Sequence, residues 1–345
     1  MNQRRQSLRI SVAVPTRNRS GCIAHLLESL EAQTRPAFEV LIIDSSSDKR
    51  TRDVVEKARG SNLTRISYIS HEPGVTSQRN RAIRESSGEV ILFLDDDTEL
   101  AVDFLAVLET QFQANPEVMG IGGFIVNEWG RRVDRVWRFR KWAGLLQGVY
   151  EEGRALPFGI CLPLSSLAPF QGLRRSDWLP GCASAWRSLV FRQCEFSLFF
   201  TDYGLAEDKE FSVRVSRRHR LAVCGDAKLR HLQVRGGRPQ GFRMGYYHVR
   251  NHLYILHSCF PQASWYRHYQ QLWFWVFDAV VGVVCGIVKG QCNAKWPHAL
   301  GLLWGVITHL HPSAPRANHR KALAPAGRDH RKDAGERRGT QMVRT

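Results

Sequence analysis

Three consecutive aspartates, Asp95, Asp96 and Asp97, directly follow the apolar run Val90–Leu94. Five apolar residues in a row predict a buried strand, and open α/β sheets bind ligands at the carboxyl ends of their strands. Neighbouring carboxylates repel one another unless a cation neutralises them or some are protonated. A hard divalent ion with oxygen ligands, Mg²⁺ or Mn²⁺, suits this role and commonly brings substrate phosphates with it. The alternative is an acidic turn that caps a following helix.

Polar side chains also lie at other predicted strand ends. Thr16 and Arg17 follow the first strand, and Asp44 follows the second. Asp44 could accept hydrogen bonds from a nucleobase or ribose, and its alternative is an Asx turn. Arg79, on the helix before the aspartates, could lie along a diphosphate, and its alternative is a solvated helix face. Later in the chain Glu207 and Asp208 open a predicted helix, where the helix dipole alone favours carboxylates.

Alternating strands and helices in the first half predict the sheet that positions these side chains. Strands are predicted at 8–14, 40–43, 66–69, 90–94 and 118–124, and helices at 20–33, 48–59 and 76–86, with another after Asp97. This rhythm predicts an α/β fold with a doubly wound, mostly parallel sheet that binds a nucleotide. Neither GxGxxG nor GxxxxGK[ST] is present, so the dinucleotide and P-loop modes lack their glycines.

Three runs together resemble the GT-A domain of family 2 glycosyltransferases: SVAVPTRNRSGCIAHLLESL, VLIIDSSSD and GVTSQRNRAIRESSGEVILFLDDDTEL. The resemblance implies a nucleotide-diphospho-sugar donor, held by a set of residues that we assign to Pro15, Thr16, Arg17, Asp44, Arg79, Asp95 and Asp96. It implies that Asp96 approaches the ribose or sugar and that Asp97 binds the metal ion. The Ser-rich turn after Asp44 departs from the family, which often has a second Asp and a Gly there, so the nucleobase stays open.

A later run, LFFTDYGLAEDKEFSVRVSRRHRLAVCGDAKLRH, resembles the second signature of that family, and the resemblance covers residues 11–234. It implies that Asp208 is the general base for the acceptor hydroxyl and that Glu207 orients the loop. His231 matches a histidine that often completes the metal or diphosphate site, and its alternative is an ordinary core or surface histidine. We expect a helix over 241–257 to close over the site, with Arg250 near the diphosphate.

These expectations define an inverting, metal-dependent sugar transfer. Asp97, His231 and the donor phosphates would hold Mg²⁺ or Mn²⁺, while Asp208 faces them across the sugar. The QxxRW motif of processive synthases is absent, which favours single additions. The expected acceptor is a hydroxyl of a cell-envelope or lipid-linked glycan. The closest enzymatic alternative is a nucleotidyltransferase, which also uses clustered aspartates with a metal ion.

The predicted domain plan has a GT-A domain over 1–240 (donor half 8–125, acceptor half 126–240), an apolar helical region over 241–311 and a basic disordered tail over 312–345. Residues 126–176 have no clean periodicity, and we expect a variable, partly helical insert that lines the acceptor side. Helices are also predicted at 187–194 and 209–217.

Two apolar runs in the C-terminal region predict membrane contact. The first, 272–288, is just short of a bilayer span, and a central Asp278 costs about 2.5–3.5 kcal/mol in lipid. With the second run, 296–310, and flanking basic residues it predicts an interfacial or re-entrant hairpin at an anionic inner leaflet. The alternative is a soluble helical pair. Eight cysteines without a CxxC pair and no visible signal peptide favour a cytoplasmic enzyme at the inner face of the membrane.

The net charge of +17 invites a nucleic-acid interpretation. No helix-turn-helix, zinc or RNA-binding signature accompanies it, so we expect no nucleic-acid partner. A nucleotide diphosphate or acidic lipid headgroups are negatively charged too, so they account for the positive net charge as well as a nucleic acid does. A membrane scaffold without turnover is a further alternative, and the intact Asp97 and Asp208 argue against it.

Overall fold

A computed structural model describes residues 7–59, 65–130, 135–142, 146, 151–200, 204–234 and 240–311. The predicted tail over 312–345 lies outside these residues. The strands are β1 Ile10–Thr16, β2 Glu39–Asp44, β3 Ile66–Ser70, β4 Val90–Leu94, β5 Thr98–Leu100, β6 Val118–Ile125, β7 Leu173–Ser176, β8 Ala183–Arg187 and β9 Arg220–His231. The helices are α1 Ser20–Glu31, α2 Arg50–Ala58, α3 Val75–Glu85, α4 Phe104–Ala114, α5 Arg135–Trp142, α6 Glu207–Ser216, α7 Gly241–Cys259, α8 Trp265–Val288 and α9 Cys292–Thr308.

The predicted α/β fold is confirmed. Strands β3, β2, β1 and β4 lie side by side in parallel, with α1, α2 and α3 as their connections. Every residue of β1, β2 and β4 is buried, as expected for strands that helices cover on both faces. Thr16 pairs in register with Asp44. The polar residues that follow these strands therefore meet at one edge of the sheet.

The second half of the sheet corrects two predictions. The helix predicted over 187–194 is correct only in part: a short 3₁₀ helix, Ser188–Arg192, lies there, and it follows β8, which pairs antiparallel with β4 and was not predicted. Trp186 of β8 is buried and packs edge-on against Phe211 of α6, so tertiary packing decides this segment. The helix expected after Asp97 begins only at Phe104, because β5 first pairs with β9. The aspartates therefore do not cap that helix.

The rest of the sheet continues in the order β8, β6, β9 and β5, with β7 paired to the side of β9. Six of the nine described strands point the same way, while β5, β7 and β8 run against them.

The three C-terminal helices share a buried cluster with the insert. Phe158, Ile160 and Leu162 of the insert pack in one apolar cluster with Leu253 of α7 and Leu272 of α8. The described part of the insert therefore supports the helical extension. The division of the chain at residue 240 stays a prediction.

Glycines set the contact between α7 and α9. A Cβ added at Gly301 would lie 2.0 Å from the carbonyl oxygen of Phe242, and one at Gly245 would lie 2.1 Å from that of His298. No side chain fits between backbones at that separation, so these positions bring the two helices into direct contact.

We predict that Gly301→Ala lowers the free energy of unfolding by about 1–3 kcal/mol, because the methyl group forces α7 and α9 apart. Gly282→Ala in α8 is the matched control, since its added Cβ meets only Ala299 at 3.7 Å. The control should be neutral or more stable by about 0.5–1 kcal/mol, from helix propensity. Urea denaturation measures both changes. If the two variants were equally stable, the close contact between α7 and α9 would be contradicted.

Candidate active site

Asp96 is fixed at the carboxyl end of β4 by two donors. Its Oδ2 accepts a hydrogen bond of 2.7 Å from the Thr16 hydroxyl, and its Oδ1 one of 2.9 Å from the Arg19 guanidinium. Burial raises the pKa of Asp96 to about 6, although Thr16 and Arg19 oppose the rise. Arg19 also lies 3.4 Å from Asp97 Oδ2. Sequence reasoning missed Arg19, whose only local signal was its position just after the polar turn that follows β1.

Asp97 lies beside His231 because β5 pairs with the end of β9, where Thr98 is opposite His231. Nε2 of His231 lies 3.2 Å from Asp97 Oδ1, and its Nδ1 lies 2.6 Å from Glu128 Oε1. Burial acts to lower the pKa of His231, but the two carboxylates raise it to about 10. Sequence reasoning also missed Glu128, since the segment around it has no periodicity.

Asp95, Asp97 and His231 offer ligand atoms that all lie within 4.8 Å of one another. Two carboxylates and an imidazole are a suitable donor set for a divalent ion. Nε2 of His231 is buried and has no hydrogen bond of acceptable geometry, so this nitrogen is available as a ligand once deprotonated. Glu128 holds the imidazole from its other nitrogen, as the partners of metal-bound histidines do. The residues present therefore fit a metal ion.

Arg79 connects this cluster to the acidic pair of α6. Its side chain is 2% exposed, so the alternative of a solvated helix face is wrong. One guanidinium nitrogen lies 2.6 Å from Glu207 Oε1, and the other lies 3.4 Å from Asp95 Oδ1 and 3.0 Å from the Gly181 carbonyl oxygen. The guanidinium also lies over the ring of Phe196 at 5.3 Å. The structure thus places carboxylates from β4 and from α6 on one arginine.

The first residues of α6 lie beside the same two groups, Arg79 and Gly181. Ala206 adopts a left-handed φ of 67° just before the helix begins at Glu207, a conformation that costs a non-glycine residue about 1–2 kcal/mol. Asp208 Oδ2 accepts a hydrogen bond of 3.0 Å from the Gly181 N–H. Burial raises the pKa of Glu207, and the charge of Arg79 opposes this rise. Because Gly181 contacts both Arg79 and Asp208, the two acidic groups lie close together. We call this region the donor cleft.

The other predicted donor residues differ in how exposed they are. Pro15 and Thr16 are buried in β1, and Arg17 is exposed. Asp44 is 1% exposed, and its Oδ1 accepts a hydrogen bond of 2.9 Å from the Ser46 N–H, which is the Asx turn. Its Oδ2 accepts one of 3.0 Å from the Tyr68 hydroxyl.

The contacts of Arg250 with other described residues do not include the three aspartates. Its guanidinium lies 4.0 Å from the centre of the Phe199 ring and donates to Asn251 Oδ1 at 3.1 Å. Asn251 in turn donates to the Leu205 carbonyl oxygen at 2.7 Å. Arg250 therefore packs near the segment that leads into α6, and its position near a diphosphate stays a prediction.

The whole arrangement is that of a GT-A fold. The fragment of Staphylococcus aureus TarS in complex with UDP-GlcNAc superposes with a TM-score of 0.53 at 19% identity, over 87% of this chain and 82% of that one. A mannosyltransferase from Pyrobaculum calidifontis, in complex with GDP-Man and Mn²⁺, gives 0.52 at 17% identity, over 89% and 88%. At these identities the likeness concerns the fold.

Sequence comparison shows which family the first part of the chain resembles. Residues 11–159 match the model described as Glycosyl transferase family 2. An uncharacterized glycosyltransferase of Haemophilus influenzae is 41% identical over 88 residues, which are 26% of this chain and 29% of that protein. A Campylobacter jejuni GalNAc(5)-diNAcBac-PP-undecaprenol beta-1,3-glucosyltransferase is 31% identical over 103 residues, which are 29% and 33%. Residues 11–159 are therefore similar to family 2 glycosyltransferases, and the chain spans a third or less of the length of these relatives.

We predict that Arg79→Met lowers the free energy of unfolding by about 3–5 kcal/mol, because buried carboxylates lose their counter-ion. The control is Arg81→Met on the same helix, whose side chain is 43% exposed and pairs with Glu85 at 2.8 Å. It should cost less than about 1 kcal/mol. Adding Glu207→Gln to Arg79→Met should restore part of the loss. Equal effects of the two single variants in urea denaturation would refute the buried bridge.

Proposed function

We propose that the chain transfers single sugars from a nucleotide-diphospho-sugar to a hydroxyl of a cell-envelope or lipid-linked glycan, with inversion. The observation that carries this proposal is the Arg79 bridge, which holds the β4 acids and the α6 acids on one cleft. A metal-ligand group on one side and a separate carboxylate on the other is what a single in-line displacement requires. Both relatives named above are described as glycosyltransferases.

Asp208 is the proposed general base. Its oxygens accept hydrogen bonds from the Gly181 and Lys209 N–H groups at 3.0 and 2.8 Å, which fix the direction of the carboxylate. It takes the proton of the acceptor hydroxyl as that oxygen attacks the anomeric carbon. Glu207 is a positioning residue, because its contact with Arg79 ties the start of α6 to β4. The proton transfer contributes about 10²–10⁴-fold to the rate.

On the donor side, Asp95, Asp97 and His231 would hold the metal ion. When bound, Mn²⁺ or Mg²⁺ supplies charge that stabilises the leaving diphosphate. An imidazole ligand favours Mn²⁺ over Mg²⁺, since Mg²⁺ prefers oxygen ligands alone.

The nucleotide is assigned to the polar edge formed by β1 and β2. Asp96, held by Thr16 and Arg19, accepts hydrogen bonds from the ribose or sugar. Pro15, Arg17, Asp44, Arg79 and Arg250 complete the proposed donor site. Arg79 and Asp44 already form ion pairs or hydrogen bonds with other residues of the chain. We therefore propose that they hold the neighbouring side chains of this site in place.

The exposed surface of the helical extension supports the proposed membrane contact. Large apolar side chains are exposed along α8 and α9, among them Trp273, Val284, Ile287, Leu300 and Trp304. Of the described helices, α8 alone has the length and apolar character to cross a bilayer. We propose that this surface lies on the inner leaflet, beside a lipid-linked acceptor.

We predict that Asp208→Asn reduces sugar transfer by about 10²–10⁴-fold and leaves the Kd for the nucleotide-sugar within about threefold, because only proton transfer is lost. Asp103→Asn is the control, since Asp103 is exposed and caps α4 without a side-chain hydrogen bond. Product analysis separates the alternatives: transfer releases a nucleoside diphosphate, whereas nucleotidyl transfer releases pyrophosphate. Full activity of Asp208→Asn would remove Asp208 from this role.

We predict that Mn²⁺ binding at pH 8 releases about one proton. At this pH His231, with a pKa of about 10, is protonated in the metal-free protein, and it must be neutral to bind a metal. Calorimetry in two buffers of different ionisation enthalpy measures the proton count. His231→Gln should weaken binding and abolish the release, while release that persists in this variant would exclude His231 as a ligand.

A further inference from the structure

A cavity of about 700 Å³ lies along α6, and none of the proposed donor-site residues lines it. Glu210 and Arg214 of this helix line it, together with Arg217, the residue that caps its C-terminal end. At 100° per residue these side chains lie roughly 180–240° around the helix from Asp208. Most of the α6 side chains that line the cavity therefore lie on the face opposite the proposed base. Val215 is the exception, near the angle of Asp208 but about two turns further along the helix.

Three parts of the chain form its apolar wall. Val190 comes from the 3₁₀ turn, Tyr254 and Cys259 from the end of α7, and Phe260 from the link to α8. Arg267 of α8 completes the rim. The cavity thus lies between α6, the segment that follows β8 and the start of the helical extension, and its size is that of a small-ligand site.

The charge around this cavity is strongly positive. Glu210 is fully engaged with Arg214, through contacts of 2.9 and 3.1 Å. Arg217, Arg218 and Arg267 also line the cavity, and none of them forms an ion pair among the described residues. Arg217 lies over the Phe260 ring at 5.1 Å, and Arg267 donates to Gln270 Oε1 at 2.7 Å, but these neutral partners leave the positive charges in place. Guanidinium groups that no described carboxylate neutralises, beside an apolar wall, favour a ligand with an anionic head and an apolar body. Arginine matches phosphate in particular, because its planar fork can donate two hydrogen bonds.

The surroundings of the rim favour a lipid as the source of that phosphate. Trp265, Tyr266 and Tyr269, on the same helix as Arg267, are 71%, 50% and 42% exposed. Exposed Trp and Tyr side chains prefer the headgroup level of a bilayer. We infer that this cavity is a binding site for the phosphate headgroup of a lipid, separate from the donor cleft. The inference does not depend on the proposed sugar transfer.

The test measures binding of decyl phosphate, below its micelle concentration, to the full chain by calorimetry. Arg217→Glu with Arg267→Glu should weaken binding at least tenfold, because two guanidinium contacts become repulsive. Arg84→Glu, an equal charge change at an exposed position of α3, should leave binding unchanged. Asp208→Asn should also leave it unchanged, because the two sites are separate.

Two further ligands distinguish the sources of binding. Inorganic phosphate and decanol should each bind at least tenfold more weakly than decyl phosphate. Equally tight binding of inorganic phosphate would show a free-anion site, and equally tight binding of decanol would show an apolar cavity; either result overturns the inference. If the double variant does not fold, Arg218→Glu, at an exposed position, replaces it, and undiminished binding in that variant also overturns the inference.

Discussion

Arg79 is a buried cation that two distant parts of the chain need. Glu207 and Asp95 are 128 and 16 residues away from it in sequence, yet both lie on its guanidinium. Removing such a charge from water is costly unless its partners are in place, so the folded state must assemble β4, α3 and α6 together. The same requirement sets the geometry of the cleft. Arg79 contacts Asp95, which could hold a metal ion, and Glu207, the neighbour of the proposed base Asp208. The same planar group therefore fixes the distance between the two acidic groups.

The antiparallel strand β8 makes that bridge possible. It enters the sheet beside β4, and the residues just before it, Gly181 and Cys182, run past the end of β4. The Asp95 N–H donates to the Cys182 carbonyl oxygen at 3.1 Å, while Gly181 contacts Arg79 through its oxygen and Asp208 through its N–H. A side chain at Gly181 would meet Asp208 at 3.1 Å and Arg79 at 3.4 Å. The backbone there is part of the cleft wall.

Local sequence pattern predicted the parallel half of the fold because each of its elements has its own periodicity and turn. The strands and helices of that half lie within two residues of the predicted bounds. Pattern alone was insufficient where a distant partner decides the structure. β8 is a strand because β4 and β6 lie on either side of it. Arg19 and Glu128 were missed because their partners are 77 and 103 residues away. The only local signal was the position of Arg19 just after the polar turn that follows β1.

Asp278 shows how tertiary structure changes the interpretation of an apolar helix. In the sequence it interrupts a run that could otherwise enter lipid. In the structure its carboxylate pairs with Arg140 of α5, whose guanidinium lies 4.6 Å from the rings of Trp137 and Phe274. The polar face of α8, with the buried Gln271 and His268, thus packs on the protein, and its exposed face is apolar. One face of α8 is therefore occupied by the folded domain, and only its other face is free for the membrane contact proposed above. Crossing a bilayer would surround both faces with lipid, including the buried polar groups.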